Sequence, residues 1–354
     1  MLCDRFASIL EDVYGTSMEL SELAKDYKNM NCFTMFLLQV LLIVTVFLIN
    51  YIILYTALNL FNRVIKITLK KELNRKLKRI IPVCIIVFLI LLGIYNMLHI
   101  ERTSYSIFTE HKFSNADRKY RVILIADIHY GPTSFEETLV SLQKKVNSEN
   151  ADLVLILGDV VDENSTYEDM QTVFAYLGNL DSKYGLYFIY GNHDRQMLKK
   201  ESARDFSQEE LDNTICNNGI IILKDNMISI NDDIILVGRE DYSMEEERLS
   251  IVDLMEDVPA EKYVLMMNHT PQESEESEQC GVDLLVAGHT HNGQVWPLNW
   301  FLSWFANNSL MYGMEESTET EFKQIVTSGV GGWALPIRNS SPAQYVVIDI
   351  VSQP

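Results

Sequence analysis

Two apolar stretches free of charged residues occupy the first hundred positions, and a different pattern replaces them from residue 104. Residues 33–61 run 29 positions without a charge, and residues 80–98 run 19. About 20 apolar residues suffice for a helix to cross a bilayer. A helix of a soluble domain shows a polar face, and neither stretch has one. Transmembrane helices are predicted at 33–61 and 80–98, after a polar segment at 1–32. A cleaved signal peptide does not fit, because the first run is too long and no small-residue cleavage pattern follows it. Residues 62–79 between the two runs hold eight Lys/Arg and one Glu. Short basic loops stay in the cytoplasm. The expectation is a multi-pass cell-membrane protein with a cytoplasmic 62–79 loop and an extracytoplasmic domain over 104–354.

From 104 onward, apolar strands alternate with amphipathic stretches at 134–148 and 167–178. Strands are predicted at 122–126, 152–157, 186–190, 263–267 and 283–287, each ending in a short polar motif. Asp127 and Asp159 are 32 apart, and Asp159 and Asn192 are 33 apart. That period is one βαβ unit of about 30 residues. Beyond 220 the pattern turns to strands and hairpins. The fold class is α/β.

The formal net charge of −20 is uneven: residues 1–100 carry 11 Lys/Arg and 7 Asp/Glu, the remainder 18 and 42. So acidic a domain does not suit nucleic-acid binding, which rests on basic residues neutralising phosphates. It needs bound cations before it can hold a phosphate. The acidic run at 273–279 reads as a solvated loop. Five cysteines at 3, 32, 84, 216 and 280 form no CxxC pair, which argues against a thiolate zinc site. A Cys216–Cys280 disulfide stays open.

Five of the seven histidines lie in the strand-end motifs Asp127-Ile-His129, Gly191-Asn192-His193-Asp194, Asn268-His269 and Gly288-His289-Thr290-His291, alongside Gly158-Asp159. Groups at strand ends converge on one edge of a sheet. His, Asp and Asn are donors for divalent transition metals. In D-x-H the two side chains point to one side of an extended segment and can chelate one ion. A carboxylate such as Asp159 has two oxygens and can serve two ions. An ion pair about 3.5–4 Å apart clamps a phosphoryl group and activates water.

In this order the motifs D-x-H, G-D-x-x-D, G-N-H-D, a later H and G-H-x-H resemble the calcineurin-like metallophosphoesterases. The resemblance covers roughly 104–351 and extends to membrane-associated bacterial members related to UDP-diacylglucosamine pyrophosphohydrolases, through GHTHNGQ at 288–294, Tyr312-Gly313 and SGVGGWALPIR at 328–338. It implies a two-sheet β-sandwich flanked by helices and two divalent ions (Mn, Fe or Zn). One ion would take Asp127, His129, Asp159 and His291, the other Asp159, Asn192, His269 and His289. The resemblance makes His193 the group that protonates the leaving oxygen, Asp194 its orienting partner and Asp162 a support. It offers Arg338 for a substrate phosphate or a structural salt bridge. Asn292 stands where the subgroup has Gly, and Ala343-Gln344 where it has Pro-Glu.

The leading expectation is a membrane-anchored hydrolase of a phosphodiester or pyrophosphate bond in a lipid-linked or lipid head-group substrate. The competing ones are a tethered hydrolase of soluble nucleotide-type esters and a non-catalytic scaffold. The scaffold reading predicts a lost ligand, and none is lost. The aromatic run 296–306, with Trp296, Trp300, Phe301, Trp304 and Phe305, separates the first two readings: it either meets the lipid interface or folds back as core.

Overall fold

The structure, a computed structural model, describes residues 32–353 apart from 111–112, 114–117, 132, 196–203, 298 and 301–307. Of the predicted polar segment only Cys32 is described, and Phe301, Trp304 and Phe305 lie outside the described residues. The chain divides into two units, Met1–Leu92 and Gly93–Pro354.

Two long helices, α1 (Cys32–Leu69) and α2 (Arg75–Leu98), contain the apolar stretches. Lys and Arg favour helix, and both helices extend into the basic segment. Only residues 70–74 connect them, rather than the 62–79 loop predicted. The Asn62 side-chain oxygen accepts the Leu73 N–H at 2.7 Å and ties the connection. Ile43–Leu69 and Arg75–Leu98 are long and apolar enough to cross a membrane. Exposed Leu48, Ile52, Phe88 and Leu91 on their surfaces suit lipid better than water.

The second unit starts within the last turns of α2. It continues with β1 (Glu101–Glu110), β2 (Lys119–Ile125), α3 (Glu136–Asn147), β3 (Leu153–Ile156), α4 (Tyr167–Gly178), β4 (Leu186–Phe188), α5 (Gln208–Asn217) and β5 (Ile220–Ile222). Then come β6 (Asn226–Ser229), β7 (Ile234–Gly238), α6 (Ile251–Met255), β8 (Tyr263–Met267), α7 (Ser274–Gln279), β9 (Leu284–Ala287), β10 (Gly313–Glu316), β11 (Lys323–Val326) and β12 (Gln344–Gln353). One sheet has the order β1-β12-β2-β3-β4-β5, the other β10-β11-β9-β8-β7-β6. β2 to β5 pair in parallel, as the 32- and 33-residue spacing requires. Thr166 and Ser207 open α4 and α5 with reciprocal capping boxes, which satisfy N–H groups the helices leave unpaired.

Alternate residues of each strand enter different layers. Val122 and Leu124 pack between the sheets with Leu265, Leu284 and Ile325. Ile123 and Ile125 face outward onto Leu139, Leu142 and Phe174 of α3 and α4. On the far side Val264 and Met266 meet Ile251 and Leu254 of α6. With both sheet faces covered the strands read as continuous apolar runs, and the domain is the two-sheet sandwich flanked by helices.

Residues 274–279 of the acidic run form the short helix α7 rather than a loop. Glu273 ahead of it accepts from both terminal nitrogens of the half-buried Arg248 at 2.7 Å. Cys84, Cys216 and Cys280 are free thiols, so Cys216 and Cys280 do not pair.

Candidate metal centre

The candidate residues sit just beyond the C-terminal ends of β2, β3, β4, β8 and β9, and the chain must leave each strand sharply to bring their side chains together. Asp127, His129, Asp159, His289 and His291 all have positive φ, between 47 and 71°. Each such non-glycine residue stores about 1 kcal/mol or more, held by interlocking backbone bonds. Asp127 N–H donates to Gly158 O and His129 N–H to Asp159 O, both at 3.0 Å. A Cβ on Gly158 would lie 2.4 Å from the Gly191 nitrogen, so the G-D and G-N-H turns touch only because both glycines lack one. Asn292 also adopts the left-handed form, φ 49°. Asn tolerates it better than most residues, so the missing subgroup glycine leaves the turn after His291 intact.

Two clusters form. Asp127, His129 and His291 offer ligand atoms within 4.8 Å of one another, and so do Asp159, His269 and His289. The Nε2 atoms of His129 and His291 face each other at 3.2 Å. In the second cluster His269 Nε2 lies 3.1 Å from Asp159 Oδ2 and 3.3 Å from Asn192 Oδ1. Asp159 joins the clusters: Oδ2 is also 3.8 Å from His129 Nε2, while Oδ1 accepts the His193 backbone N–H at 2.9 Å. One oxygen, rather than one each, faces both clusters.

The electrostatics fit cations. Burial pulls His129 down to about 3 and His289 to about 4, and His291 well below its ordinary value. These rings are neutral, as metal ligands must be. Burial pushes Asp127 up to about 7. Burial opposes protonation of His269 too, but Asp159 against it raises it well above the ordinary value. The buried carboxylates Asp127 and Asp159 call for positive charge beside them, which bound divalent ions would supply. The buried Nδ1 atoms of His129 and His291 have no hydrogen-bond partner. Asp162 Oδ2 is 4.0 Å from the first of them. Nitrogen and oxygen donors without thiolate suit Mn, Fe or Zn, and the residues present fit such ions.

His193 stands at the edge of the first cluster, its ring edge-on to His129 at 5.1 Å. Its Nδ1 lies 2.8 Å from Glu163 Oε2 and 3.0 Å from Oε1. A carboxylate only accepts, so Nδ1 carries the hydrogen. Burial opposes the charged ring, but Asp159 and Glu163 outweigh it and hold His193 up at about 9. The predicted orienting partner, Asp194, does something else. Its carboxylate accepts the backbone N–H groups of Asp159, Val160, Val161 and Gly191 at 2.7–3.2 Å, locking two strand-end turns together. Four amide donors satisfy it fully and leave nothing for the imidazole. The residue the sequence reading missed is Glu163. Its signal was the second acid of Asp162-Glu163, one position past the motif.

Arg338 does not form the expected structural salt bridge among the described residues. It is fully buried, and its guanidinium donates to the carbonyls of Gly329 at 3.0 Å, Gly331 and Ser328. It pins the loop after β11 and forms no ion pair with a carboxylate among the described residues. Arg338→Ala should therefore destabilise by about 3 kcal/mol or more, through a cavity and stranded carbonyls. Thermal unfolding would show a drop of several degrees; an unchanged Tm with a raised KM would restore the substrate role.

Of the aromatic run, Trp296 and Trp300 pack edge to face at 5.8 Å, and Trp300 is exposed.

Comparison with known proteins assigns the class. Residues 120–293 match the calcineurin-like phosphoesterase family. Residues 120–293 thus form a calcineurin-like metallophosphoesterase domain, the domain of metal-dependent phosphoester hydrolases. Among its relatives, an uncharacterized metallophosphoesterase of Campylobacter jejuni is 26% identical over 75% of this chain and 67% of its own length. One from Helicobacter pylori is 27% identical over 66% of this chain and 60% of its own. A transmembrane protein with metallophosphoesterase domain from Bos taurus is 24% identical over 69% of this chain and 56% of its own length. The chain thus spans between just over half and two thirds of these relatives.

Proposed function

We propose that this protein hydrolyses a phosphodiester or pyrophosphate bond of a lipid-linked or lipid head-group substrate. Asp127, His129, Asp159 and His291 would hold one divalent ion, and Asp159, Asn192, His269 and His289 the other. The observation that carries the reading is Asp159 Oδ2, 3.1 Å from a ring of one cluster and 3.8 Å from a ring of the other. Bound there, the ions supply a clamp for phosphoryl oxygens and lower the pKa of the attacking water. The chain's own residues do the rest. Asp194 and the strained turns fix the ligands in advance. His193, oriented by Glu163, gives its Nε2 proton to the departing oxygen. The lipid part of the reading is supported by two helices long and apolar enough to cross a membrane and by exposed Trp300, six positions after Gln294 of the last motif.

The test is a screen of the full chain in detergent, loaded with Mn, Fe or Zn, against lipid-linked and soluble diesters, monoesters and pyrophosphates. Turnover of a lipid-linked diester or pyrophosphate supports the reading. Equal rates on soluble nucleotide esters point to the tethered alternative, and no hydrolysis removes the proposal.

The reading has the 62–79 segment inside and the catalytic domain outside, and it is supported by the basic residues of that segment through the positive-inside rule. Protease added to sealed right-side-out vesicles should digest the 104–354 domain. Protection until the vesicles are lysed would reverse the topology.

A further inference from the structure

Four aromatic rings stand in a row from the centre of the site to its surface. His291 and His129 are 5.1 Å apart, His129 and His193 5.1 Å, and His193 and Trp333 5.8 Å at 41°. His129 is fully buried, His193 and His291 are 6% and 7% exposed, and only Trp333, at 46%, is open to solvent. The first two rings belong to a candidate ion cluster and the third is the candidate proton donor. The fourth, an indole beside that donor, has no assigned task.

Trp333 is exposed, yet its backbone is held firmly. The Gln294 side chain accepts the Trp333 N–H at 2.8 Å. It donates to the carbonyls of Trp333, Leu335 and Ile337 at 3.1, 2.8 and 3.1 Å. Thr133 Oγ1 donates to the Gly332 carbonyl. Gly331 packs so close that a Cβ there would lie 2.0 Å from Ile128 O. These bonds fix the loop that carries the indole beside the candidate donor. A phosphoryl group on the ions sets its departing oxygen at His193, and the next atoms of the leaving group then reach the indole.

We propose that Trp333 is a specificity-determining residue that stacks on the carbon skeleton of the leaving alcohol, selecting esters with a planar or apolar leaving group over anions without one. This rests on the function proposed above and narrows its substrate class to organic phosphoesters. The attacking water oxygen forms a new P–O bond as the ester P–O bond breaks; the electron pair leaves on the alcohol oxygen, which takes the proton of His193 while its carbon body stays on the indole until release.

The experiment uses the full chain in detergent, loaded with Mn, and reads binding as well as turnover. Calorimetric titration with phenylphosphonate, which carries a ring in the leaving-group position, is compared with inorganic phosphate, which carries none. The unmodified protein should bind phenylphosphonate about tenfold more tightly, the scale of one ring-stacking contact. Trp333→Ala should erase the preference and raise KM for bis(4-nitrophenyl) phosphate about tenfold, and Trp333→Phe should restore most of both. A preference that survives Trp333→Ala, or equal weakening of both ligands with a lowered Tm, overturns the proposal alone. An unmodified protein that binds neither ligand and hydrolyses nothing overturns the proposed function with it.

Discussion

Asp159→Ala is expected to abolish turnover, by on the order of 10³-fold or more, equal to about 4 kcal/mol of transition-state stabilisation. It should also lower bound metal more than replacement of any other single ligand. Asp159 Oδ2 lies within 3.1 Å of His269 and 3.8 Å of His129, so its loss weakens both ion sites together. Its other oxygen holds the His193 backbone N–H at 2.9 Å, so the same change frees the proton donor's loop. Elemental analysis and turnover on one diester check this. Full metal content with more than a small fraction of the activity would mean that the carboxylate joins no ion pair.

His193→Ala should leave the metal nearly intact and cut turnover of a poor-leaving-group ester by roughly 10²–10⁴-fold, the range of a general acid. The loss should shrink with a nitrophenyl leaving group, which departs with little protonation. Glu163→Gln should follow the same dependence at about a tenth of the size, because Glu163 acts only through the ring at 2.8 Å. An unchanged rate for His193→Ala on an alkyl ester removes His193 from the chemistry. A Glu163→Gln loss that ignores the leaving group assigns Glu163 to packing instead.

What the sequence made legible is local. Strand-helix alternation follows from periodicity, and the metal-ligand candidates stand at strand ends by their spacing. What it hid depends on contacts made across the fold. β1 pairs with β12 in parallel, Glu101 opposite Gln344, and no local period encodes a partner so distant. Arg338 reads in the sequence as a partner for an anion, whereas the fold buries it against three carbonyls. Glu163 and Asp194 are both acids near His193, and only the backbone turns decide which one meets the ring. Glu273 looks like solvated charge in the sequence, yet Arg248 takes it as partner.

The central claim is an ion pair joined by Asp159. Metal content of the full chain in detergent, by elemental analysis after removal of excess ion, tests it most directly. About two divalent ions per chain, as phosphoryl clamping by an ion pair requires, with both lost together in Asp159→Ala, is the expected result. A single ion per chain, or two that persist without Asp159, would contradict it.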